Sequence, residues 1–126
     1  MRPIVYDAGV LIAADRNDRR RWAEHRVLLE AGALPIVPAP VVAQVSRTHK
    51  QAQLRRFLRG CEVVALDEGG AHRAGAMLGK AGTTDVVDAS VVEIAVRRGA
   101  DILTGDPEDI ERLVLAQDAE VEVSSL

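Results

Sequence analysis

Apolar residues along this chain fall in two patterns. Short continuous runs recur at intervals, and between them lie longer stretches with apolar positions every three or four residues. The runs predict strands at Arg2–Tyr6, Leu34–Val37, Glu62–Leu66, Asp101–Thr104 and Glu120–Val123. The spaced stretches predict helices. A short buried one covers 8–14, and a long one runs from Arg19 to about Ala31 behind the N-cap Asp18 and ends at Gly32. Another opens at Pro40 and carries Val41, Val42, Gln44 and Val45. Further helices are predicted at Gln51–Arg59, Glu68–Lys80, Thr83–Arg98 and Pro107–Ala116. Strands alternating with helices imply crossover connections and a parallel sheet. The expected architecture is α/β: one domain over residues 1–126, with a central parallel sheet of about five strands flanked by helices.

The stretch TTDVVDASVVEIAVRR, from Thr83 to Arg98, carries one irregularity. Wound at about 100° per residue, it puts Ser90, Glu93 and Arg97 on one side, expected to face water. Glu93 and Arg97 are spaced for an i,i+4 ion pair. Asp88 falls nearly opposite, among Val91, Val92 and Ala95, with Asp85 on its side. A carboxylate on the core side of a helix is costly unless it is paired, hydrogen-bonded or bound to a cation.

Composition narrows the chemistry. Aromatic residues are only 2%, namely Tyr6, Trp22 and Phe57, so the core is expected to be aliphatic and a base-stacking platform is disfavoured. Cys61 is alone, which excludes a disulfide framework and a thiolate metal site. The start of the chain is too briefly apolar for a signal peptide and no stretch has the length of a membrane span, so a reducing cytoplasm is expected. Charge is unevenly spread. Residues 1–60 carry eleven Lys/Arg against five Asp/Glu, and residues 61–126 carry five against fourteen. That pattern suits a basic flank for a polyanion beside an acidic site for a cation.

The acids fall where an α/β sheet places ligands, beyond the carboxyl ends of its strands. Asp7 follows strand one, Asp106 follows strand four, and Asp88 lies near the start of the helix before strand four. Each has an ordinary explanation as a helix cap: Asp7 for the first helix, Asp85 with Asp88 for the sixth, Asp106 with Asp109 for the seventh. Taken together, with no basic residue within a few places, they are like charges gathered without a counterion. Oxygen ligands without Cys or clustered His favour Mg²⁺ or Mn²⁺. Such a cation suits phosphodiester hydrolysis. His25, His49 and His72 lie outside this set and are expected at the surface.

The segments IVYDAGVLIA, PAPVVAQVSR, TTDVVDASVVEIA and ILTGDPEDI occur in one order across the whole chain. Together they resemble PIN-domain ribonucleases, and among these the VapC-like toxins of type II toxin–antitoxin operons. The resemblance implies a three-layer fold with an acidic pocket, RNA cleavage with Mg²⁺ or Mn²⁺, a homodimer, and silencing by a small antitoxin. It assigns Asp7, Asp88 and Asp106 as catalytic metal ligands. Asp85 and Asp109 are nearby acids, and Thr104 is a hydroxyl able to orient a carboxylate or phosphate. Asp106 or Asp85 would orient the attacking water. At the position of the usual second acid, a Glu, stands Gln44. Its amide adds no charge and cannot serve as a general base, so a weakened RNA- or partner-binding module is the alternative. Of the basic residues that could form an RNA track, Arg47 lies closest to the Gln44 helix and is expected to contact RNA. A receiver-type signalling domain fits poorly, because the last lysine, Lys80, lies on a helix and not near the last strand.

Overall fold

A computed structural model describes residues 2–126. The elements follow in the order β1 (Ile4–Tyr6), α1 (Ala8–Asp15), α2 (Arg19–Glu30), β2 (Ile36–Pro38), α3 (Ala39–Val45), α4 (Ala52–Leu58), β3 (Glu62–Val64), α5 (Glu68–Ala81), α6 (Val86–Arg98), β4 (Asp101–Thr104), α7 (Pro107–Ala116) and β5 (Val123–Ser125). The five strands form one sheet in the order β3-β2-β1-β4-β5, and every pair is parallel. α1 packs on β1 and β4 together with α2, α3 and α4, whereas α6 packs on β1, β2 and β4 with α5 and α7. This is the expected three-layer, PIN-like architecture.

The central strands read as apolar because both their faces are covered. Val5, Val37 and Ile102 have no exposed surface. The helix boundaries follow local chemistry. The Asp18 carboxylate accepts from the backbone N–H of Arg20 and Arg21 and starts α2. α6 stops at Gly99, which takes the left-handed conformation (φ 62°) that lets Ala100 N–H bond back to the Ala95 carbonyl at 2.8 Å. No helix among the described residues is long and apolar enough to cross a membrane.

Several expectations are corrected. The terminal strand lies at Val123–Ser125, not Glu120–Val123, because register with β4 pairs Ile102 with Val123 and Thr104 with Ser125. Glu122 N–H is instead taken by the Asp101 side chain. Ser90 and Glu93 do not face water; each is 2% exposed, because α5 lies across that side of α6. Glu93 does make the expected pair with Arg97, Nε to Oε1 at 3.1 Å, and adds Arg73 of α5 at 3.1 Å. Gly70 allows this approach, since a Cβ there would stand 3.2 Å from Glu93 Oε1 and 3.1 Å from Leu66 Cδ1.

His25 is also not at the surface. Its Nδ1 lies 2.9 Å from the Tyr6 hydroxyl, and its ring stacks on Phe57 at 4.0 Å. Burial pushes its pKa below the ordinary value, against a smaller upward pull from the Phe57 backbone. The core is therefore not purely aliphatic. The few rings are gathered rather than scattered: Tyr6 and Phe57 are fully buried, and Trp22 meets Phe57 edge-on at 5.0 Å.

Removing Glu93 would leave two half-exposed guanidinium groups free to reach water, so the cost falls short of that for a fully buried pair. Glu93→Ala is expected to lower stability by about 2 kcal/mol in urea denaturation, mostly through loosening of α5 from α6. A change below about 0.5 kcal/mol, the size of an ordinary surface substitution, would contradict this reading.

Candidate metal centre

The order β3-β2-β1-β4-β5 makes β1 and β4 neighbours from which the chain departs in opposite directions. That seam is a topological switch point, where open α/β sheets form a crevice. Tyr6 pairs with Leu103, so the residues that follow them emerge side by side. Asp7 continues the ladder, its N–H donating to the Leu103 carbonyl at 3.0 Å. Strand register thus brings Asp7 beside the end of β4, from which the chain continues to Asp106, and α6 adds Asp85 and Asp88.

The cavity there has a volume of about 240 Å³ and is lined by Asp7, Ala8, Gly9, Gln44, Asp85, Asp88, Gly105 and Asp106. No Lys or Arg is among these. Asp7 is 5% exposed, and both its oxygens are engaged: Oδ1 accepts from Ala8 N–H at 2.7 Å, and Oδ2 accepts from the Thr104 hydroxyl at 2.6 Å. Thr104, fully buried, in turn accepts from Asp106 N–H at 2.9 Å. One hydroxyl therefore ties the end of β1 to the loop after β4 and fixes the Asp7 carboxylate.

The cap explanations divide. Asp7 caps α1, and Asp85 caps α6 by accepting from Asp88 N–H at 3.0 Å. Asp106, expected to cap α7, makes no side-chain capping bond; Thr104 takes its N–H, and its carboxylate stays with the cluster. Asp109 stands closer to the centre than its assignment as a nearby acid suggests. Carboxylate oxygens of Asp88, Asp106 and Asp109 all lie within 4.8 Å of one another, the one such group of three among the described residues. Asp109 follows Asp106 by one helical turn of α7, so i,i+3 spacing is the available signal.

Two glycines also belong to the site, and sequence reasoning misses them. A Cβ on Gly9 would sit 3.2 Å from the Gly105 backbone and 2.8 Å from Leu126 Cδ1, so a side chain there would force α1 and the β4–α7 loop apart.

Electrostatics record the crowding. The Asp88 carboxyl is pushed up from 3.8 to about 7, first by burial and then by Asp85, Asp7, Asp106 and Asp109. Asp106 is also raised, by burial first and then by its hydrogen bond with Asp109. Oxygen-only donors around a cavity without a basic side chain fit a hard divalent cation, with Gln44 able to add an amide oxygen.

Comparison with known proteins places this geometry on a familiar frame. No family model matches the sequence, and no curated protein does. Among solved structures, the chain is similar to the crystal structure of VapBC2 from Rickettsia felis bound to a DNA fragment from their promoter. The match has a TM-score of 0.73 at 14% sequence identity and covers 98% of each chain. At that identity the likeness establishes the fold.

In metal-free protein, folding raises the Asp88 pKa, so the folded state holds a proton that the unfolded chain releases. The resulting stability is complete below about pH 4, declines as pH rises, and is gone above about pH 7. Asp88→Asn does not titrate. With a chelator present it is expected to melt several degrees above wild type at pH 8, with the difference closing towards pH 4. Equal pH dependence of the two melting curves would show that Asp88 is not crowded as described.

Proposed function

We propose that this chain is a Mg²⁺- or Mn²⁺-dependent endoribonuclease, the toxin of a type II toxin–antitoxin pair acting in the cytoplasm. The observation that carries the reading is convergence. Asp7, Asp88 and Asp106, far apart in sequence, enter one cavity with Asp85 and without any basic residue. The resemblance of the four motifs to VapC-like toxins and the shared fold with a VapBC2 complex point the same way.

In this reading Asp7, Asp88 and Asp106 hold the cation, and Asp109 supports them. A bound Mg²⁺ or Mn²⁺ lowers the pKa of water and offsets charge developing on the phosphate. Thr104 keeps Asp7 in one orientation. Asp88, raised by burial and then by its acidic neighbours, would be ionised to serve as a ligand, a state that an adjacent positive charge favours. Asp85 or Asp106 orients the attacking water. Arg47, three residues past Gln44, contacts the RNA, although its Nη1 also bonds the Ala43 and Ser46 carbonyls. The partners proposed are RNA, a second copy of the chain, and an antitoxin. An acidic cavity of this kind can be filled by an inhibitor's Arg or Lys in place of the cation.

A second reading has its own support. Gln44 lines the cavity where the resemblance places a Glu, so the chain can be a weakened module that binds RNA or a partner without turnover.

Wild-type protein is expected to cut structured RNA with Mn²⁺, and Asp88→Asn to lower the rate by at least about 100-fold, a loss of about 3 kcal/mol in transition-state stabilisation. Cleavage that survives Asp88→Asn would overturn the nuclease reading. Absence of wild-type cleavage, with activity appearing in Gln44→Glu alongside tighter Mn²⁺ binding, would select the weakened module. If Gln44→Glu changes neither, Gln44 is not at the metal.

A further inference from the structure

A second cavity lies at the far end of α1. That helix starts at Asp7 in the acidic site and runs eight residues, about 12 Å of axis, to Asp15. Beyond it Asn17 takes the left-handed conformation (φ 60°), one that Asn tolerates, and the chain turns directly into α2. The cavity opens beside this turn. It has a volume of about 270 Å³ and is lined by Asn17, Arg19, Trp22, Ala23, Arg26 and Arg56.

Its charge is as one-sided as that of the acidic site, with the opposite sign. Three guanidinium groups line it and no carboxylate does. Arg20 and Arg21, on the same helix, are both paired with Glu24. Among the described residues, Arg19, Arg26 and Arg56 form no ion pair. All three arginines are exposed, but one of them and the tryptophan beside it are held in place. Trp22 Nε1 donates to the Ala14 carbonyl at 3.0 Å, which fixes the indole to the end of α1. The Arg56 guanidinium lies over that ring at 4.4 Å. A stacked guanidinium is held in place while its N–H groups remain able to donate, the arrangement suited to a phosphate.

We propose that this cavity binds a backbone phosphate of the RNA that the acidic site cuts, so that α1 spans from anchor to scissile bond. The proposal rests on the nuclease reading for its biological meaning, but its test does not require cleavage. Arg19, Arg26 and Arg56 supply the charge, and the Trp22 indole supplies a rigid floor. Phosphate contact by arginines carries no base preference, so the anchor sets register and leaves sequence choice to the cleavage site.

Trp22 is the only tryptophan in the chain, so its emission reports what enters this cavity. Wild-type protein in EDTA is titrated with a short single-stranded oligoribonucleotide. Anisotropy gives the affinity and Trp22 emission gives the location. RNA is expected to change that emission. Arg26 and Arg56 are exposed, so both can be replaced without loss of folding, checked by circular dichroism. Arg26→Gln/Arg56→Gln is expected to bind roughly tenfold more weakly near 0.1 M salt, with the log–log salt slope reduced by about 1.4, as when two fewer phosphates of a single strand are neutralised. Wild-type affinity and slope in the double variant, or no RNA binding by wild type, would overturn the anchor. So would a glutamate-rich peptide of equal charge that binds as tightly as RNA with the same emission change, since the cavity would then serve an acidic protein segment. Absence of wild-type cleavage in Mn²⁺ alongside the expected binding result would remove the nuclease reading and leave the anchor. Loss of the binding result with cleavage intact would do the reverse.

Discussion

Repulsion among carboxylates is the constraint around which this molecule is arranged. A fold that gathers Asp7, Asp85, Asp88 and Asp106 around a single cavity works against itself unless something positive joins them. Their positions do not relax. Asp7 is locked by Thr104 and by the first N–H of α1, and Asp85 is held as a helix cap. What gives way is protonation, so the strain appears in the raised pKa of Asp88. Asp88, raised by burial and by its acidic neighbours, is one of these whose replacement would relieve the repulsion without removing a helix cap.

Helix α6 shows the alternative within the same few turns. It carries two acids with little exposed surface, Asp88 and Glu93, and the structure treats them in opposite ways. Glu93 receives two arginines, one from its own helix and one from α5, and a glycine on α5 makes room for the pairing. Asp88 receives only other acids. The contrast is between a carboxylate that is paired and one that is not, although the chain does supply arginines to a buried acid on this helix.

This difference explains how far the sequence can be read. Parallel strands between helices, the order of elements and the rim position of Asp7, Asp88 and Asp106 follow from periodicity and from where strands end. The helical wheel places Glu93 in water because a wheel assumes one covered face, and α6 is covered on two, by the sheet and by α5. Residue type alone sends His25 outward, yet a tyrosine hydroxyl and a phenylalanine ring give it a place inside. The terminal strand is displaced because the alternation around Val121 and Val123 does not say which backbone groups β4 will pair, and register decides that. The Gly9–Gly105 approach depends on how the loop before α7 folds back onto α1, which no local pattern encodes.

The uneven charge of the chain then acquires a geometry. Its basic half supplies α2 and α4, which frame the arginine cavity, and its acidic half supplies α6 and the β4–α7 loop, which frame the acidic cavity. α1 belongs to both, opening on Asp7 and ending where Trp22 is anchored. Clefts of opposite potential at the two ends of one rigid helix orient a polyanion as it arrives. The basic end attracts it and the acidic end repels it, and a divalent cation among the carboxylates would lessen that repulsion. On the proposed reading, access of nucleic acid to the carboxylates would depend on cation occupancy through electrostatics.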